Sequence, residues 1–66
     1  MSNNISVNLK KIRKEKQITM EGLARQADIS LNTVVKIETG VNTNPKIETV
    51  ISLCKVLGIK IDEMVR

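Results

Sequence analysis

The stretch Thr19–Glu38, TMEGLARQADISLNTVVKIE, decides how the chain is read. Thr19 offers the side-chain oxygen of a helix N-cap, and Leu23, Ala24 and Ala27 follow at helical spacing. The periodicity breaks at Ala27-Asp28-Ile29. Ser30 then supplies a second cap, and Val34 and Ile37 mark the inward side of a second helix. Two helices with so few residues between them must cross steeply, and the small Ala24 lets the second come close. The residue three after Thr19 is Gly22, so there is no capping box. Gly22 also lowers helix propensity by about 1 kcal/mol relative to Ala. Glu21 suits the positive end of the helix.

Upstream, Ile5, Leu9 and Ile12 are four and three residues apart and form one apolar stripe, predicting a helix from about Ile5 to Lys16. Arg13 lies on the edge of that stripe. Lys10, Lys11, Lys14 and Lys16 gather toward the helix end, where cations suit the dipole. They read equally as a solvated face or as phosphate contacts. Met1-Ser2-Asn3-Asn4 is polar and expected to fray, although one of its residues could cap the helix. Gln17-Ile18 connects to the central stretch, and Ile18 is placed to staple onto Leu23.

Downstream, Gly40 is a natural helix stop, followed by a polar loop that ends at Asn44-Pro45. A further helix is expected from about Lys46 to Leu57, with Ile47, Val50, Ile51, Cys54 and Leu57 inward. Gly58 stands where a left-handed cap belongs. Ile59–Arg66 gives a short last helix with Ile61, Met64 and Val65 apolar. No internal repeat or low-complexity segment is visible. The expected fold is all-α: one compact five-helix domain spanning residues 1–66.

Composition narrows the function. The 66 residues are 41% hydrophobic and 27% charged, enough apolar content for a small core. There is no Phe, Trp or Tyr, which argues against single-strand binding by base stacking. Eleven Lys and Arg against seven Asp and Glu give a net charge of +4, a balance that favours polyanions. Cys54 stands alone in an apolar helical pattern and reads as a core residue. Without His, the commonest general base and the usual zinc-ligand sets are missing. No cofactor, metal or small-molecule ligand is expected. No apolar run approaches the ~20 residues that span a bilayer, and no signal peptide is visible, so the cytoplasm is the expected compartment.

Two short helices crossing at a tight turn have the geometry of a helix-turn-helix, whose second helix enters the DNA major groove. The chain also resembles the lambda-repressor-like family, the phage repressor and Cro type, over roughly Leu9 to Val65. The matching pieces are Ile12-Arg13, Ile18-Thr19, Leu23-Ala24, Ile29-Ser30, Thr33-Val34, Ile37-Glu38 with Gly40, Pro45, Leu57-Gly58-Ile59 and Asp62-Glu63. The resemblance implies a salt bridge between Arg13 and Glu38. It places Leu31, Asn32 and Lys36 where base-contacting side chains stand, and Val35 lies beside them. Asn32 suits adenine, Lys36 suits guanine, and Leu31 or Val35 suits a thymine methyl. Phosphate contacts are expected from Thr19, Met20, Ser30, Thr33, Asn42, Thr43, Asn44 and Lys46. Departures from the family pattern are Met20 where Gln is frequent, Gln17 and Asp28 where Gly is common, and Ala27 where Leu is frequent.

Small members of the family commonly dimerise through the C-terminal region. Val41, Ile59, Ile61, Met64 and Val65 are the apolar candidates for such a patch here, the alternative being that most of them complete the core of the single chain. The expected function is sequence-specific double-stranded DNA binding by a transcriptional regulator, as a homodimer on a palindromic operator. The alternative is an antitoxin-like interaction module that also binds DNA. An enzyme is disfavoured, because no paired carboxylates in a cleft and no phosphate-binding Gly loop are visible.

Overall fold

The computed structural model describes residues 4–66. Five helices follow in order: α1 (Ile5–Glu15), α2 (Met20–Ala27), α3 (Leu31–Glu38), α4 (Ile47–Leu57) and α5 (Ile61–Val65). Among the described residues there is no strand, and no helix is long and apolar enough to cross a membrane. Met1–Asn3, in the segment expected to fray, lie outside the described residues. Asn4 occupies the N-cap position of α1 without a side-chain cap bond, and its Nδ2 donates instead to the Arg66 carbonyl at 2.9 Å.

Three helices end by the same device. After α1, α2 and α4 comes a residue with left-handed backbone: Gln17 (φ 58°), Asp28 (φ 57°) and Gly58 (φ 67°). The next residue is isoleucine each time, and its N–H reaches back to a carbonyl in the helix's last turn. These bonds are Ile18 to Arg13 at 3.1 Å, Ile29 to Ala24 at 3.0 Å and Ile59 to Cys54 at 3.1 Å. The arrangement satisfies carbonyls that the helix itself leaves unpaired, and it turns an apolar side chain back toward the bundle. Ile18, Ile29 and Ile59 all pack against the core. Of these three endings only the one after α4 has glycine at the left-handed position, so the first two carry a steric cost that Gly58 avoids.

The core is aliphatic: Ile5 and Leu9 from α1, Leu23, Ala24 and Ala27 from α2, Val34 and Ile37 from α3, Val50, Leu53, Cys54 and Leu57 from α4, and Met64 from α5. α3 packs on α1 and α2, while α4 packs on α2 and α5, and α5 returns to α1. The last contact is also tied by polar groups, since Asn8 Nδ2 donates to the Met64 carbonyl at 2.9 Å. Burial raises the pKa of the Cys54 thiol, with a further contribution from the charge of Glu63.

Two expectations about the C-terminal half are overturned. Ile47 and Ile51 do not face inward: they are 60% and 37% exposed, while Leu53 is fully buried in their place. α4 carries apolar residues around most of its circumference, and the positions of α2 and α5 select which of them is covered. Met64 is also fully buried, so it belongs to the core of the single chain and not to an exposed patch. The last helix is shorter than expected. Lys60 is extended (ψ 155°) and caps α5, leaving Ile59 to pack back onto α4 and the core.

Candidate nucleic-acid interface

α3 begins as its sequence dictates. Ser30 is extended and its Oγ accepts the N–H of Thr33 at 3.1 Å, with Thr33 Oγ1 a further 2.7 Å from the same oxygen. α2 starts likewise, with Thr19 Oγ1 accepting the N–H of Gly22 at 2.9 Å. Gly22 has a local reason: a Cβ there would stand 3.1 Å from that capping oxygen. The first turn of α3 holds no acidic residue, whereas Glu21, Glu48 and Asp62 sit in the first turns of α2, α4 and α5. The positive end of the α3 dipole is therefore not offset by a carboxylate of its own helix.

The two sides of α3 have opposite fates. Val34, Ile37 and Glu38 are buried. Leu31, Asn32 and Lys36 are exposed and Val35 is half-buried. Leu31 with Val35, and Asn32 with Lys36, are four residues apart, so the four side chains form two adjacent rows. One row brings apolar contact surface, the other an amide and an ammonium. Such a surface matches the thymine methyl and the hydrogen-bonding edges that bases present in the major groove.

The back of α3 is locked at its C-terminal end. Arg13 Nε donates to Glu38 Oε2 at 2.5 Å and Arg13 Nη2 to Oε1 at 3.0 Å, a bidentate pair whose side chains are only 11% and 3% exposed. The hydrogen bond to Glu38 raises the Arg13 pKa further, against the cost of burial. The third edge of the guanidinium is used as well, with Nη1 donating to the Ile18 carbonyl at 2.7 Å. Ser6 Oγ donates to the backbone carbonyl of Glu38 at 2.8 Å. α1 thus grips both the main chain and the side chain of the last residue of α3. The Ser6 contact has no signature in sequence, because it joins residues 32 positions apart and depends on how α1 crosses α3.

The remaining candidates fall into different settings. Thr19 and Ser30 are exposed, but their oxygens already cap their own helices. Met20 packs its side chain against the core, so only its backbone N–H is left to meet a phosphate. Thr33 is half-buried beside Ser30. Asn42 donates its N–H to the Lys36 carbonyl at 2.9 Å, and its Oδ1 accepts from the Asn44 N–H at 3.0 Å. The loop is thereby anchored to the end of α3, with Thr43 and Asn44 exposed on it. Lys46 is exposed at the start of α4. Of the apolar C-terminal candidates, Val41, Ile61 and Val65 are exposed and Ile59 is half-buried.

Comparisons with known proteins agree with this architecture. The N-terminal DNA-binding domain of SinR from Bacillus subtilis superposes with a TM-score of 0.89 at 28% identity, over 92% of this chain and 88% of that one. SinR, the master regulator for biofilm formation, in complex with DNA gives 0.88 at 28% identity, over 91% of this chain and 95% of that one. A transcriptional regulator from Listeria innocua gives 0.83 at 26% identity, over 98% of this chain and 60% of the longer protein. No curated protein sequence matches. The helix-turn-helix family model matches residues 9–64, which take in the capped pair α2–α3 and the helices that hold it. The chain belongs to the Cro/C1-type helix-turn-helix family, whose fold is that of DNA-binding transcriptional regulators.

Proposed function

We propose that the protein is a sequence-specific regulator of transcription that inserts α3 into the major groove of double-stranded DNA. The observation that carries the reading is the asymmetry of α3: its outer rows are open while its inner side and last residue are held by α1 and α2. The likeness to SinR, whose structure is known with DNA, supports it. Asn32 and Lys36 read base edges, and Leu31 and Val35 contact thymine methyls. Free N–H groups at the starts of α2 and α3, with Thr33, the Asn42–Asn44 loop and Lys46, hold phosphates. The protein acts as a homodimer on a palindromic operator, with half-sites about 34 Å apart, and blocks or helps polymerase by occupying it.

Selection of bound duplexes from a random pool, followed by fluorescence anisotropy at several salt concentrations, tests the reading. A palindrome preferred over random duplex at moderate salt is the expected result, and its absence refutes sequence-specific regulation. Asn32→Ala relaxes the preference at one base position by about 1–3 kcal/mol, whereas Lys46→Ala weakens all duplexes and lowers the salt slope by about one. Uniform loss of binding in Asn32→Ala refutes its role in base readout.

A further inference from the structure

We infer that Lys10 and Lys14, on the outer flank of α1, form a strip that grips the DNA backbone beside α3, outside the helix-turn-helix itself. The inference rests on the DNA-binding reading above and adds phosphate contacts that neither the helix starts nor the Asn42–Asn44 loop supplies. The lysine pattern of α1 by itself gives no reason to separate its four members, but the structure does. Lys11 lines a cleft between α1 and α5 together with Glu15, Glu63 and Arg66, so carboxylates share its surroundings. Lys16 lies beyond the last turn as the C-cap residue of α1. Lys10 and Lys14 are exposed on another side.

That side is fixed by what α1 holds. Ser6 and Arg13 both bind Glu38, the last residue of α3. Lys10 stands four residues after Ser6 and three before Arg13, in the adjoining row of the helix surface, and Lys14 follows one turn later. Arg13 Nη1 also donates to the Ile18 carbonyl, which brings the start of α2 to the same place. The flank with Lys10 and Lys14 therefore borders the start of α2 and the end of α3, where phosphates are expected. Charge favours the same partner. Like charges one turn apart weaken a helix, and no carboxylate stands three or four residues from either lysine to offset them. Glu38 is on the adjacent helix, but its two oxygens are already taken by Arg13. A run of phosphates offsets both charges. Two ammonium groups on flexible stems suit a backbone that is met as charge rather than read as sequence.

Fluorescence anisotropy on the full chain, with a random duplex and a selected palindrome across a range of salt, tests the inference, with circular dichroism to verify folding. Lys10→Gln with Lys14→Gln lowers the salt slope by about two and weakens both duplexes alike, about fivefold per lysine at about 0.15 M salt, without changing the preferred sequence. Lys11→Gln with Lys16→Gln removes the same charge from the same helix and moves the slope by less than half as much. Neutral methylphosphonates, placed one at a time along the palindrome, give the direct readout. At the phosphates the strip touches they weaken the wild type and leave the Lys10→Gln, Lys14→Gln variant unaffected. Equal slopes in the two double variants, or equal losses in wild type and variant at every phosphate, refute the strip and leave readout by α3 standing. A wild type that prefers no palindrome overturns the sequence-specific reading instead, and the slopes on random duplex still decide the strip.

Discussion

The pair α2–α3 and the pair α4–α5 are built from the same aliphatic side chains, yet they differ in how tightly pattern dictates placement. In α2 the buried apolar residues lie on one side with polar residues opposite, whereas in α3 Val34 and Ile37 are buried and Leu31 and Val35 fall on the outer side beside Asn32 and Lys36. Only one rotation of α2 hides Leu23, Ala24 and Ala27 together, and α3 is held with Val34 and Ile37 inward by its packing on α1 and α2. α4 has apolar residues at 47, 50, 51, 53, 54, 56 and 57, and several rotations bury a comparable number. What separates the two regions is how much of each helix is apolar: seven of the eleven residues of α4 against four of the eight of α3. A helix with more apolar residues than its neighbours can cover is left with apolar surface to spare.

Substitutions can break this comparison. The largest effect is expected at the locked end of α3. Glu38→Gln leaves the Arg13 guanidinium without its carboxylate and costs about 3–5 kcal/mol, toward the lower value because Arg13 keeps some exposure. Replacing both partners by apolar residues, Arg13→Met with Glu38→Leu, recovers much of that loss in urea denaturation. A double variant no more stable than Glu38→Gln alone refutes the unpaired-charge account. Next comes the rotation of α4. Leu53→Ala costs about 2–5 kcal/mol, whereas Ile47→Ala stays within about 0.5 kcal/mol when measured below the concentration of any self-association. The reverse order sinks the assignment of faces. The smallest effect lies at the first left-handed ending, where Gln17→Gly relieves backbone strain and raises stability by about 0.5–1 kcal/mol. Asp28→Gly gains less, because Asp tolerates this conformation better, and an equal gain at both positions removes that distinction.

The helix-turn-helix itself was legible because its signals are short-range. Thr19 and Ser30 cap the residues three positions ahead of them, and Asp28 turns left at the junction, all within one turn of chain. The family pattern added the Arg13–Glu38 pairing, which no local rule supplies. The inward reading of Ile47 and Ile51, and the candidacy of Met64 for an exposed patch, rest on hydrophobicity alone, in segments that carry more apolar residues than the core takes in. The Ser6 and Asn8 contacts went unseen because a lone Ser or Asn on a helix advertises no partner.

The starts of α2 and α3 and the stops of α1, α2 and α4 were determined by the sequence alone, since their caps and left-handed turns are settled by residues within hydrogen-bonding reach along the chain. So were Leu23, Ala24, Val34 and Ile37 as the inward residues of α2 and α3, by their spacing. Only the tertiary structure decided which side of α4 is covered, that Met64 completes the core, and that α1 grips the last residue of α3. Those outcomes depend on the crossing of helices far apart in sequence, and the free energy that selects them belongs to the packed arrangement rather than to any one segment.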